Sequence, residues 1–349
     1  MSKRNLRILR FYIVGWTMAM IFLAIVRGVG TEELGQLKFD FKSSIIISVT
    51  LGPIFGIISG LASIWAEKNL YRKLTLGKLL LLRTLYAIAF IAVMIVAAYW
   101  VYQLYFGTDI SITTFALDEG SGAIYFYILA TDFFMTILRQ VNLMLGEGNL
   151  SKIIRGQFYT PREEDRIFMF LDLQASTTIA ERLGHVRYSM LIQDCFNDLG
   201  VAVEQNNAEI YQYVGDEAVL TWPLKEGLNN KNCVNAYYNF SELLEKKKEY
   251  YDNMYDCQPF FKAGIHSGVV TVTEVGKYKK EIAYHGDTIN TAARIQGKCN
   301  ALKSEVLLSE NLKNEFAENR FTFSEKGQVP LKGKKEPIQI FSIHKELAR

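Results

Sequence analysis

The segment that decides the fold is the apolar run RIFMFLDL, which spans Arg166 to Leu173 and contains the carboxylate Asp172 near its end. A continuous apolar run of this length is typical of a central β-strand buried on both faces. A helix-forming stretch begins at Ser176. We therefore predict a strand, a short turn and a helix, with Asp172 at the exit of the strand.

A second carboxylate lies at the tip of a predicted β-hairpin. Two short strand-like runs, Glu209 to Tyr213 and Ala218 to Trp222, flank a compact turn that contains Asp216. Asp216 follows Asp172 by 44 positions. Each aspartate alone is more typical of a cap or a turn. Together, two carboxylates at strand ends can converge on a pair of hard cations, because Mg²⁺ prefers carboxylate oxygens combined with substrate phosphates.

A third segment, YHGDTINTAARI, spans Tyr284 to Ile295 and predicts a helix capped by Asp287 or Thr288. Asn290 and Arg294 are four residues apart and therefore project from one face of this helix. An amide and a guanidinium on the same face suit a ribose and a polyphosphate. In an isolated motif, a solvated polar face would be the simpler interpretation.

These segments together resemble the catalytic domains of class III nucleotidyl cyclases. The strings FMFLDLQASTT, YQYVGDEAVL, HGDTINTAARI and PLKGK (Pro330 to Lys334) occur in the order and spacing of that family. The resemblance covers roughly residues 160 to 345. It implies a ferredoxin-like α/β domain that works as a head-to-tail homodimer, with each active site built across the interface.

The resemblance also implies which groups hold metal ions and phosphates. Two Mg²⁺ ions, for which Mn²⁺ can substitute, would bind Asp172, Asp216 and the backbone carbonyl of Leu173. Backbone N–H groups at the start of the following helix would bind the β- and γ-phosphates. The residues of that turn are Gln174, Ala175, Ser176 and Thr177. Lys332, with Lys334 as its close rival, would bind the terminal phosphates.

The remaining catalytic groups would come from the second chain of the dimer. The partner subunit's Asn290 would orient the ribose, and the partner subunit's Arg294 would stabilise the charge that develops on the α-phosphate. The same resemblance implies conversion of ATP to 3′,5′-cyclic AMP and pyrophosphate.

Two positions depart from the family pattern for reading the purine base. Adenylate cyclases of this family usually have Lys three residues before the hairpin glycine, and Asp or Thr three residues before the helix-capping glycine. Guanylate cyclases usually have Glu and Cys there, whereas this chain has Gln212 and Ala283. Gln212 can donate or accept toward either purine, and Ala283 offers no side-chain hydrogen bond. The choice between ATP and GTP stays open.

The first part of the chain has a different character, with four apolar segments separated by short polar loops. The two longest have 24 and 23 residues, and about 20 helical residues suffice to cross a bilayer. The segments are Phe11 to Val26, Ser43 to Ala66, Thr84 to Phe106 and Gly120 to Leu138. The first is short, but can extend through Gly28 to Gly30 if Arg27 reaches the head groups. A signal peptide is the weaker alternative, because no small-residue cleavage pattern follows.

Basic residues near the ends of these segments predict the orientation of the chain. They cluster before the first segment and between the second and third: Lys3, Arg4, Arg7, Arg10, Lys68, Arg72, Lys73, Lys78 and Arg83. Basic loops of this kind stay in the cytoplasm. We therefore predict a multi-pass protein of the cytoplasmic membrane, surrounded by the lipid bilayer, with a cytoplasmic N-terminus and a cytoplasmic second half.

The complete prediction is an α-helical transmembrane bundle of four spans followed by an α/β ferredoxin-like class III cyclase catalytic domain. The bundle would comprise residues 1–138, a transducer helix or linker 139–160, and the catalytic domain 161–349. Small residues repeat every four positions along the second span, at Ser48, Gly52, Gly56 and Gly60. We favour close packing within one bundle over a seam between two chains. Asp132 in the fourth span indicates a polar partner, a cavity or a ligand site, unless it lies near the interface.

Composition limits the alternatives. Half of the 349 residues are hydrophobic and six are proline, which excludes a disordered chain. A formal charge of +3 is too small to indicate a nucleic-acid polymer as partner, and four unclustered cysteines predict reduced thiols. The alternatives to an adenylate cyclase are a guanylate cyclase, a cyclase of relaxed purine choice and a catalytically silent nucleotide-binding sensor. A diguanylate cyclase is disfavoured by Val214 and by the helix with Asn290 and Arg294.

Overall fold

The computed structural model describes residues 3–28, 41–69, 76–107, 110–146, 148–316, 321–330 and 336–345. The chain forms two compact units, Met1–Met144 and Leu145–Arg349. Val29 and Gly30, through which the first span could extend, lie outside the described residues, as do the PLKGK residues from Leu331 onward.

The first unit is helical. Its helices are α1 (Lys3–Gly28), α2 (Phe41–Asn69), α3 (Leu76–Phe106), α4 (Ile112–Ala116) and α5 (Ser121–Met144). Four of these are long and apolar enough to cross a membrane, and they contain the four predicted segments except for Gly120. All four long helices extend beyond the apolar runs at one or both ends. The first starts at Lys3, and the fourth long helix continues past Leu138 to Met144.

The small-residue ridge of α2 packs against α1 of the same chain. A Cβ atom added to Gly56 would lie 2.4 Å from Ile13 Cα, and one added to Gly52 would lie 2.5 Å from Thr17 Cα. Because these glycines have no side chains, the two backbones come into contact, as they do in closely packed membrane helices. This is the intrachain packing that the spacing favoured.

Asp132 has polar partners inside the helical unit. Ser59 Oγ donates to Asp132 Oδ1 at 2.8 Å and accepts from Trp16 Nε1 at 3.0 Å, which links α1, α2 and α5. Further along α5, Arg139 Nε donates to Glu67 Oε1 at 2.9 Å, and Glu67 also pairs with Arg4. These contacts satisfy the polar groups of helices whose outer faces are apolar.

The second unit begins with a break at two glycines in the left-handed region, Gly146 (φ +86°) and Gly148 (φ +90°). A short helix, α6 (Asn149–Ile154), follows. The rest comprises β1 (Arg162–Leu173), α7 (Ser176–Gln205), β2 (Glu209–Val214), β3 (Glu217–Pro223), α8 (Leu224–Leu228), α9 (Asn232–Lys246), α10 (Lys248–Tyr255), β4 (Phe261–Val275), β5 (Glu281–His285), α11 (Asp287–Gln296), β6 (Val306–Ser309), α12 (Glu310–Asn314), β7 (Phe321–Val329) and β8 (Ile338–Lys345).

The strands form one mixed sheet in the order β2-β3-β1-β4-β6-β8-β7, with β5 paired to the far end of β4. Strands β2, β3, β1 and β4 with helices α7 and α9 have the order of a ferredoxin-like fold. As predicted, β1 is central and the hairpin of β2 and β3 lies beside it.

Alternate residues of β1 separate two apolar layers. Met169 and Leu171 belong to the main core, which also contains residues of α7, α9 and α10. Phe168 and Phe170 belong to a smaller cluster with Ala292 of α11 on the opposite face. Asp172 has the same parity as these phenylalanines, so its side chain lies on the face that α11 covers.

Candidate active site

Asp172 and Asp216 are brought together by the pairing of β1 with β3. Asp172 lies directly opposite Glu217, and Asp216 occupies the two-residue turn just before Glu217. Gly215 gives that turn a φ of +63°, as a tight hairpin requires. Burial raises the pKa of Asp172, and the nearby charge of Asp216 raises it further.

Two side chains near these aspartates were not predicted from the sequence. Glu217 is half-buried, and burial followed by the charges of Asp172 and Asp216 raises its pKa to about 7. Burial and the same two carboxylates raise the pKa of Tyr188 in α7. Glu217 directly follows Asp216 in the sequence. Only the register of β1 and β3 shows that it also lies opposite Asp172.

The donor set fits a hard divalent cation. Clustered carboxylates repel one another when ionised. A bound cation that their oxygens coordinate offsets this repulsion. Among the described residues there is no cluster of three or more His, Cys, Asp or Glu with the arrangement of a metal cage. Two carboxylates without a complete cage are what Mg²⁺ requires when substrate phosphates supply the remaining oxygens.

One backbone donor of the turn before α7 already has an acceptor. The Gln174 N–H donates to the carbonyl of Phe260 at 2.9 Å. Ala175 has a φ of +56°, and the helix begins at Ser176. The first-turn N–H groups of a helix have no intrahelical acceptor, which leaves Ala175, Ser176 and Thr177 as the backbone donors of this turn.

Helix α11 presents Asn290 and Arg294 on one face, but its N-cap is different from the predicted one. The N-cap residue is Gly286, without a side-chain cap, because Thr288 Oγ1 instead donates to Val269 O at 2.8 Å. Asp287 is the first helical residue and accepts from Thr291 Oγ1 at 3.3 Å. The exposed Asn290 donates to Gly286 O at 3.5 Å.

Arg294 has one nitrogen without a hydrogen-bond acceptor among the described residues. Its Nη1 is buried and has no hydrogen-bond acceptor in the part of the chain that the structure describes. The nearest carboxylate oxygen, Asp287 Oδ1, lies 3.9 Å away. A buried guanidinium N–H without an acceptor is costly, so this geometry favours an anionic group at that position.

The two positions predicted to read the purine base lie beside a pair of tyrosines in contact. Tyr211 precedes Gln212, and Tyr284 follows Ala283. The rings of these two tyrosines pack edge to face, with their centroids 5.1 Å apart. Gln212 is exposed on β2, and Ala283 pairs with Thr273 across β4 and β5. Lys332 and Lys334 lie outside the described residues.

Comparison with known proteins assigns the second unit. The model of a family described as the adenylate and guanylate cyclase catalytic domain matches residues 158–345, which is more than half of the chain. The chain belongs to this family. Its cyclase domain therefore contains the central strand, the hairpin and α11, and the class III resemblance of the sequence motifs is confirmed.

The relatives of this chain include proteins named as adenylate cyclases and as guanylate cyclases. Adenylate cyclase 2 of Rhizobium meliloti is 31% identical over 218 residues, which cover 62% of this chain and 60% of that protein. A receptor-type guanylate cyclase of Caenorhabditis elegans is 23% identical over 206 residues, covering 55% of this chain and 17% of that protein. The chain thus spans less than two thirds of the length of either relative.

Solved structures support the cyclase fold. The structure of a bacterial light-regulated adenylyl cyclase aligns with a TM-score of 0.54 and 15% identity, covering 65% of each chain. At that identity the likeness concerns the fold alone. It agrees with the predicted fold of the catalytic domain.

Proposed function

We propose that this protein is a membrane-anchored adenylate cyclase that converts ATP to 3′,5′-cyclic AMP and pyrophosphate at sites shared by two subunits. The observation on which the proposal rests is the paired carboxylates Asp172 and Asp216 on the face of the sheet that α11 covers. The buried, acceptor-free Nη1 of Arg294 adds a cationic group suited to phosphate.

The residues of the chain would divide the chemistry among them. Asp172 and Asp216, with the carbonyl of Leu173, would hold two Mg²⁺ or Mn²⁺ ions. When bound, such ions lower the pKa of the ribose 3′-hydroxyl and offset the charge of the phosphates. The first turn of α7 would orient the β- and γ-phosphates, as would Lys332 or Lys334. The 3′-hydroxyl then loses its proton to solvent, its oxygen bonds to the α-phosphorus, and the bond from that phosphorus to the pyrophosphate oxygen breaks.

The geometry of α11 supports a site shared between subunits. Gln296 at the end of this helix lies near Asp172 of its own chain, and its amide lowers the pKa of that carboxyl against the larger raising effects of burial and Asp216. Arg294 and Asn290 are separated from Gln296 by about 200° and about 240° around the helix axis, at 100° per residue. They therefore face away from their own Asp172. A head-to-tail partner would bring its own α11 to this site in their place.

ATP is the proposed substrate because the 31% identical relative is an adenylate cyclase. A specific observation favours the second candidate, a guanylate cyclase or an enzyme of relaxed purine choice. Gln212 is exposed and its amide can present either a donor or an acceptor, whereas Ala283 presents neither. Neither residue has a charge that would repel guanine. Neither has a buried polar group that guanine would leave without a hydrogen bond.

Membrane anchoring by the first unit is also part of the proposal. Its long helices expose large apolar side chains outward, including Met18, Phe22, Trp100 and Phe126. Contiguous apolar surface of this kind is stable in lipid and unfavourable in water. The basic residues beside the helices favour a cytoplasmic location for the cyclase domain.

The test is product formation by detergent-solubilised full-length protein given equal ATP and GTP with Mn²⁺. We expect mainly cyclic AMP, and its loss in Asp172→Ala and Asp216→Ala. Asp165→Ala is the matched control, because Asp165 is an exposed carboxylate on the same strand. Mainly cyclic GMP would favour the guanylate alternative, and both products would favour relaxed choice. Nucleotide binding without either product would leave a silent sensor.

A further inference from the structure

Helix α11 approaches the sheet most closely at Gly264 of β4. A Cβ atom added there would lie 2.1 Å from Gln296 N and 2.5 Å from Gln296 Cα. Gly264 pairs with Phe170 on the neighbouring strand β1. The missing side chain thus lets the end of α11 rest directly on the backbone of β4, beside the strand that contains Asp172.

This approach places the side chain of Gln296 against the metal-binding carboxylate. Gln296 is buried on the face of the sheet that carries Asp172, which lies two residues after Phe170. Burial and the charge of Asp216 raise the pKa of Asp172, and the nearby Gln296 amide lowers it. An amide N–H can hold one carboxylate oxygen while the other remains available to a cation. Such hydrogen bonds from neighbouring groups orient ligands at many metal sites.

Gln296, which lies beside Asp172, is a neutral donor. The cationic residue nearby, Lys262, has a different hydrogen-bond partner. Lys262 pairs with Asp172 across β1 and β4, so its side chain emerges on the same face. Its Nζ donates to Asn300 Oδ1 at 2.7 Å. An ammonium bound to Asp172 would compete with a metal ion for the carboxylate, while an amide donor orients the carboxylate without supplying a competing charge.

From these contacts we propose that Gln296 is a positioning residue that orients Asp172 for metal binding in its own subunit. Asn290 and Arg294, on the other side of the same helix, serve the partner's site. Each α11 therefore contributes to both active sites of the dimer. This inference rests on the proposed shared-site cyclase and adds a residue to it.

The first test measures metal affinity directly. Mn²⁺ binding to full-length protein with a non-cyclisable ATP analogue is followed by the electron paramagnetic resonance signal of free Mn²⁺. We expect Gln296→Leu to weaken Mn²⁺ binding about tenfold. This is the lower end of the effect that is usual when a metal ligand loses a hydrogen-bonding neighbour. Lys298→Met, a change near the same helix end, should bind like the unmodified protein. Gln296→Met keeps the side-chain length without the N–H and replaces the leucine variant if that variant fails to fold.

The outcomes separate this inference from the proposed function. Unchanged Mn²⁺ affinity in a folded Gln296→Leu or Gln296→Met protein, with affinity lost in Asp172→Ala, would overturn the role of Gln296 alone. Unchanged affinity in Asp172→Ala as well would overturn the metal site of the proposed function.

The second test asks which site Gln296 serves. In a heterodimer of Gln296→Leu with Asn290→Ala chains, the one intact site contains an unmodified Gln296 beside its Asp172. We expect the metal dependence of its activity to match that of the unmodified enzyme. In a heterodimer of Gln296→Leu with Asp172→Ala chains, the only active site contains the leucine, so it should need about tenfold more metal. The reverse pattern would contradict action within one subunit.

Discussion

Asp172 is the residue at which the contacts of the site converge. Glu217 lies opposite it, Asp216 lies in the turn just before Glu217, and the amide of Gln296 in α11 lies near it. Three half-buried acidic groups in such proximity repel one another when ionised, and burial adds to this cost. The arrangement is therefore unfavourable for the free protein and suited to a bound cation, as is common at functional sites.

Replacing Asp172 should separate stability from activity. Asp172→Asn keeps the shape of the side chain and removes one of the repelling charges. In metal-free buffer we expect the thermal midpoint of the cyclase domain to rise by about 2 to 4 °C, the effect of about 1 kcal/mol in a domain of this size, with activity lost. Asp165→Asn should change neither quantity. A lower midpoint for Asp172→Asn would contradict the repulsion.

The sequence predicts those site residues that belong to a local pattern, such as a strand or a turn. Asp172 and Asp216 each follow a recognisable strand or turn. Glu217 becomes informative only when the register of β1 and β3 is known. Gln296 has no sequence signal, because its contact depends on the close approach at Gly264, which is 32 positions earlier in the sequence.

At the level of elements, hydropathy predicted four helices but placed some ends incorrectly. The fourth apolar run stops at Leu138 because Arg139 follows. The helix continues, since Arg139 is paired with Glu67 of α2, 72 positions away. Likewise, the N-cap of α11 is Gly286, because Thr288 bonds to β4 instead of capping. Apolar runs therefore locate helices, while long-range partners decide where they end.

The contact of α1 with α2 gives a prediction at this scale. Gly56→Leu would force side-chain atoms into the backbone of Ile13, so we expect about 1 to 3 kcal/mol of destabilisation. The control is Gly122→Leu in α5, where an added Cβ has no neighbour within 4 Å among the described residues. The measurement is the fraction of full-length protein that remains monodisperse in detergent after heating. Equal losses for the two variants would contradict the packing.

At the scale of the whole molecule, the two units are stabilised by different kinds of packing. The first is stabilised by apolar helices whose outward faces suit lipid, and the second by a mixed sheet with separate apolar layers on its two faces. The sequence predicted this division because composition and charge change between the halves. It could not supply the strand register, which decides which polar groups meet on the face covered by α11.

The central claim is that two subunits complete each active site, and subunit complementation tests it most directly. Asp172→Ala and Asn290→Ala chains with different tags are produced together, and heterodimers are isolated through both tags. Each heterodimer has one intact site, so we predict about half of the activity of the unmodified dimer, while either variant alone is inactive. Heterodimers that are recovered intact yet no more active than the separate variants would contradict the account.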